Sequence, residues 1–155
     1  MKMEKRLAFA LFVLYGIALL YVTLFAWNYG ASLGAEGPDG RNYNLIPLRS
    51  IYRISVFSGN WHDPFKILIG NIILFIPLGF LLPLLLARMR SIGKVVFAGF
   101  LVSLAIELTQ FTFTQRVADI DDLLLNTLGT LLGAWLAFLM LALRRRVFLF
   151  LNEQK

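Results

Sequence analysis

Four stretches of the chain are almost free of charge: Leu7–Trp27, Ile67–Ala87, Val95–Gln115 and Leu123–Leu143. A helix rises about 1.5 Å per residue, so about 20 apolar residues cross a hydrocarbon core roughly 30 Å thick. Each stretch is long enough, and only the third contains a charged residue, Glu107. The pattern predicts an all-α membrane protein with four transmembrane helices at 7–27, 67–87, 95–115 and 123–143, forming a single domain over 1–155.

The one long connection is 28–66. It opens with turn formers (Gly34, Gly37, Pro38, Asp39, Gly40). The stretch Asn44–Gly59 then mixes Leu45, Ile46, Leu48, Ile51, Ile54, Val56 and Phe57 with Arg49 and Arg53. That mixture predicts a short amphipathic helix on the outer membrane surface, before span two. The single histidine, His62, is expected in an interfacial loop.

Composition agrees with the pattern. Hydrophobic residues make up 59% of the chain and charged residues 15%, against about 45–50% and 25% in soluble domains. The net charge of +6 would suggest nucleic acid in a soluble protein. Here the basic residues flank the apolar runs, so they read as topology signals, and no nucleic-acid partner is expected. Ten of the 15 basic residues fall on one side: Lys2, Lys5, Arg6, Arg88, Arg90, Lys94, Arg144, Arg145, Arg146 and Lys155. The positive-inside rule puts that side, with both termini, in the cytoplasm. The cytoplasmic membrane is the expected location. The first run is longer than a signal-peptide core and is expected to be an uncleaved helix. Trp27 and Trp61 fall at outer span ends, where aromatic belts sit, whereas Trp135 is mid-span.

The informative residues are polar groups inside the apolar runs. Ser103, Glu107, Gln110 and Thr114 share one helical face of span three. Asp122, Asn126, Gly129 and Gly133 share one face of span four, and Asp119 extends that stripe if the helix starts early. Two such stripes on neighbouring antiparallel spans are expected to meet. Gly129 and Gly133 form a small-residue pair that lets another helix approach closely, so packing is their expected role.

At 1.5 Å per residue, Glu107 lies roughly 12 Å from the outer end of its span, Gln110 about 8 Å, Asn71 about 6 Å and Asn126 about 5 Å. The strongly polar side chains therefore gather in the outer half, below Asn44, Arg49, Arg116, Asp119 and Asp122. The candidate site is an outward-facing polar pocket made of Asn44, Arg49, Asn71, Glu107, Gln110, Arg116, Asp119, Asp122 and Asn126. An ionisable group within the membrane marks a functional site by default. Glu107 needs a partner, and Arg49 or Arg53 could reach it on their long stems. The bland alternatives are interhelical hydrogen bonding for Asn71 and Asn126 and helix capping by one of Asp119, Asp121 and Asp122.

Three classes of function fit this pocket. In the first, arginines grip a phosphate or carboxylate of a lipid headgroup while the amides hydrogen-bond to it. In the second, Glu107, Asp119 and Asp122 act as acid and base or hold a hard cation. In the third, the bundle is a scaffold for another envelope protein. With no cysteine and one histidine, a zinc site of the N/S type cannot be built from one chain. No serine elbow, phosphate loop or dinucleotide fingerprint occurs. No metal or cofactor is expected, and binding is favoured over catalysis.

Four pieces of sequence resemble motifs of the VanZ-like family of small bacterial membrane proteins. They are Asn44-Leu-Ile-Pro47-Leu48, Asn71-Ile-Ile-Leu-Phe75-Ile-Pro77-Leu-Gly79-Phe80, Glu107-Leu-Thr-Gln110, and Arg116-Val-Ala-Asp119-Ile-Asp121-Asp122-Leu-Leu-Leu-Asn126-Thr-Leu-Gly129. Together they cover roughly Asn44–Trp135. The resemblance implies a cell-envelope protein of a family associated with low-level resistance to the glycopeptide teicoplanin. It also implies that the outer polar cluster is the shared site. The expected partners are membrane lipids, with a lipid-linked envelope precursor as a further candidate.

Overall fold

The computed structural model describes residues 2–25, 43–59, 62–113 and 117–153. Among them are helices α1 (Lys2–Leu20), α2 (Arg49–Phe57), α3 (His62–Leu85), α4 (Ile92–Phe113) and α5 (Ile120–Glu153), with two-residue strands β1 (Tyr43–Asn44) and β2 (Ala118–Asp119). Four helical stretches of the described residues are long and apolar enough to cross a membrane: Arg6–Phe25, Pro64–Leu85, Ile92–Phe113 and Ile120–Arg146. These are the four expected spans, shifted by a few residues at their ends. His62 is the first residue of α3 rather than part of a loop. α5 runs ten residues past the expected end of span four, carrying exposed Arg144, Arg145 and Arg146.

α3 and α5 form the most extensive pair, α4 packs on α5, and α1 lies mainly against α3. The α3–α5 contact is backbone against backbone. A Cβ built on Gly129 would lie 2.1 Å from the Ile72 carbonyl oxygen, and one on Gly133 would lie 2.0 Å from that of Ile76. From the other side, a Cβ on Gly79 would lie 2.0 Å from the Thr130 carbonyl oxygen. Small residues drive this approach because lipid tails provide no hydrophobic incentive for helices to associate. The Gly129/Gly133 face is therefore filled by α3 of the same chain.

Pro77 and Pro83 lie inside α3, which nevertheless continues from His62 to Leu85. Each proline removes one main-chain donor, a loss that neighbouring helices allow a membrane span to tolerate. The apolar core is small: Phe75, Leu78 and Leu82 of α3, Val95 and Ile106 of α4, Leu19 of α1 and Ala134 of α5. Many large apolar side chains are exposed, among them Leu14, Ile73, Phe97, Leu108, Trp135 and Leu139. In water such a surface would aggregate, whereas in a bilayer it is the face that lipid covers. Mid-span Trp135, 57% exposed, belongs to this surface.

α1 is the peripheral helix. The Tyr15 hydroxyl donates to the Leu74 carbonyl at 2.9 Å. The last turn of the span, Tyr21–Phe25, widens to a π-helix, where the Thr23 carbonyl accepts from Gln110 Nε2 at 2.8 Å.

Candidate functional site

The buried polar groups gather where α1 ends, α3 and α5 begin and α4 ends. Asn44, Ser103, Glu107, Gln110, Asp119, Asp121 and Asn126 are all buried. The segment 43–59 lies across this end. Its β1 pairs in parallel with β2, Tyr43 opposite Ala118 and Asn44 opposite Asp119.

Asp119 is not on the helix, as an early start would have required. It precedes α5 and caps it: its Oδ1 accepts the Asp121 main-chain N–H at 2.9 Å, the N-cap arrangement. The same oxygen accepts Asn44 Nδ2 at 2.9 Å. Asn44 Nδ2 also reaches the Ser50 hydroxyl at 3.1 Å, and Asn44 Oδ1 accepts the Ile46 N–H at 3.1 Å. One asparagine thus ties β1, α2 and the α5 cap together.

Asp121 was not among the expected site residues, yet it is almost fully buried. Its carboxylate crosses to the other segment and accepts the main-chain N–H groups of Leu48, Ser50 at 2.8 Å and Ile51 at 3.1 Å. These amides are the start of α2. The residue before that helix, Leu48, provides no side-chain cap and has a left-handed backbone (φ 65°). A leucine rarely adopts that conformation. Asp121 supplies in trans the cap that the local sequence lacks, and its charge suits a helix N-terminus.

Glu107 meets a main-chain donor. Its Oε2 accepts the Asp119 N–H at 2.8 Å. Among the described residues neither Arg49, exposed on α2, nor half-buried Arg53 forms an ion pair with it. The expected bridge from the α2 arginines is not formed, and the α5 cap supplies one partner of Glu107 through the Asp119 main-chain N–H. Arg116, Thr114 and Trp61 lie outside the described residues, as does Trp27.

The two polar stripes meet as expected. Asn126 Nδ2 on α5 donates to Ser103 Oγ on α4 at 2.9 Å. One turn nearer the loop end, Asn71 Nδ2 on α3 donates to Asp122 Oδ1. Of the candidate residues, Asn44, Glu107 and Asp119 form one connected cluster, Asn71 with Asp122 a second contact, and Asn126 with Ser103 a third. Gln110 Nε2 instead donates to the Thr23 carbonyl and so reaches the α1 span. No group of three or more His, Asp or Glu side chains suited to a metal ion occurs among the described residues.

The chain matches the sequence model of VanZ/LLP1 over residues 12–141. The chain belongs to the VanZ/LLP1 family. It is similar to Protein VanZ of Enterococcus faecium, 33% identical over 131 residues that span 84% of this chain and 73% of that protein. No solved structure matches it. In this VanZ/LLP1 protein the four motif segments converge: Asn44 of the first, Asn71 of the second, Glu107 of the third and Asp119, Asp121 and Asp122 of the fourth lie at one end of the bundle.

Proposed function

We propose that this VanZ/LLP1 protein sits in the cytoplasmic membrane and holds the polar headgroup of an envelope lipid, or of a lipid-linked cell-wall or surface precursor, in a pocket facing outward beneath α2. The excess of basic residues on the termini and on the α3–α4 turn supports the outward direction of the polar end. The observation that carries the reading is the buried cluster of Asn44, Glu107, Asp119 and Asp121 at the loop end of an otherwise apolar bundle. Polar groups within a membrane are expensive and are retained where they serve a site.

Two observations favour binding over the other classes. Both oxygens of Asp121 and Oδ1 of Asp119 are already engaged by amide donors, which suits a fixed frame better than proton transfer. The Gly129/Gly133 face, which a scaffold would offer to a partner, is filled by α3. The family's association with glycopeptide resistance accords with a ligand drawn from cell-wall synthesis. The reading predicts that Glu107→Ala changes susceptibility to a cell-wall-targeting glycopeptide at unchanged protein level. An unchanged phenotype at unchanged level contradicts it.

A further inference from the structure

Among the described residues, the side-chain amide of Asn126 on α5 is buried and only partly satisfied. Asn126 is 3% exposed, and its Nδ2 is used by Ser103, but its Oδ1 has no hydrogen-bond partner. Rotating the amide by 180° would leave both N–H groups unmet where the present orientation leaves the oxygen and one N–H, so the amide stays partly unsatisfied either way. A buried acceptor without a donor costs about 1–3 kcal/mol, more than most proteins tolerate without a reason.

The position of Asn126 gives the reason a direction. It lies on the α4–α5 seam, opposite Ser103, which precedes Glu107 by one helical turn. On α5 it follows Asp122 by one turn, roughly 6 Å deeper. Asp122 and its partner Asn71 are only half-buried, so the seam is more open at their level and closes downward. Below Asn126 the polar character ends: the Thr130 hydroxyl turns back to the Asn126 carbonyl at 3.0 Å, and Ala134 and Ala137 are fully buried. Asn126 Oδ1 is thus an acceptor near the floor of the polar seam.

We propose that Asn126 Oδ1 receives an N–H or O–H donor of the bound headgroup, making the ligand one that carries an ammonium or hydroxyl group. The inference rests on the headgroup reading above and adds the chemical class. An aminophospholipid and a glycolipid both carry such donors. A choline headgroup has none, because its nitrogen is fully methylated.

The test is native mass spectrometry of the full-length protein from lipid discs. Each disc holds equal amounts of phosphatidylcholine and one competitor with matched acyl chains, either phosphatidylethanolamine or a neutral glycosyl diacylglycerol. Wild type is expected to retain one competitor over phosphatidylcholine by roughly fivefold or more, the range implied by satisfying a buried acceptor. Preference for the first competitor assigns an ammonium donor, and preference for the second assigns a hydroxyl. Asn126→Leu should bring the ratio to about one. Asn126→Asp, which keeps the acceptor, should preserve the ratio and guards against a folding artefact, and lipid-facing Thr112→Val serves as the unchanged control. If wild type holds all three lipids equally but Glu107→Ala releases them, the headgroup site stands and the donor assignment is overturned. If neither protein retains lipid selectively and Glu107→Ala changes nothing, the headgroup reading itself falls.

Discussion

The Glu107 carboxylate on α4 accepts the main-chain N–H of Asp119 at 2.8 Å, at the cap of α5. An acidic side chain in a membrane span thus serves as the receptor for the start of the next helix. Asp119 in turn accepts from Asn44, so the carboxylate on α4, the α5 cap and the surface segment form one chain of hydrogen bonds. Glu107 and segment 43–59 are thereby joined through Asp119.

The docking of α2 depends on Asp121. Helix α2 has no fully buried residue of its own, and its first turn is held by three amide bonds to that carboxylate. Asp121→Ala is expected to remove protection from hydrogen exchange at Leu48, Ser50 and Ile51 while the α3–α5 pair keeps its own. Losing bonds to a charged acceptor costs about 1.5–3 kcal/mol each, so local opening should rise at least tenfold. Unchanged exchange at those three amides would show that α2 is held by other contacts.

The glycines of the α3–α5 contact should be intolerant of any side chain. Gly133→Ala places a Cβ about where the Ile76 carbonyl oxygen lies, and overpacking of this kind costs roughly 1–3 kcal/mol or more. Gly16→Ala meets nothing within 4 Å and should be neutral or slightly stabilising, because alanine favours a helix over glycine. Thermal melting in detergent compares the two. Equal melting temperatures would mean that the close α3–α5 approach does not hold.

The chain has no cysteine, so single cysteines report topology directly. Gly59 and Ser91 are both exposed, at opposite ends of α3. Gly59→Cys should react with a membrane-impermeant thiol reagent in intact cells, and Ser91→Cys only after permeabilisation. The reverse pattern would invert the orientation and place the polar end in the cytoplasm.

The four spans were legible because length and absence of charge are local properties, readable without knowing what packs where. The meeting of Ser103 with Asn126 was legible too, because helical spacing puts each on a stripe and antiparallel neighbours face one another. Asp121 was not. Its partners lie about seventy residues away, and an aspartate in a first helical turn already has a sufficient local explanation. The one local clue was that Leu48, a poor cap, precedes α2. Glu107 was recognised as needing a partner, but charge arithmetic pointed to α2 arginines. A main-chain N–H has no signature in a sequence, so that donor could only be found in the fold.

Lipid identification by native mass spectrometry on wild type, Glu107→Gln and Glu107→Ala decides whether the loop-end cluster holds a lipid headgroup. Glutamine keeps an acceptor for the Asp119 amide, whereas alanine leaves that buried donor unmet. Wild type should carry a defined lipid through purification, Glu107→Gln should keep a part of it, and Glu107→Ala should lose it while remaining folded. If all three carry the same bulk lipids in the same amounts, the cluster is a structural frame and the headgroup site does not exist.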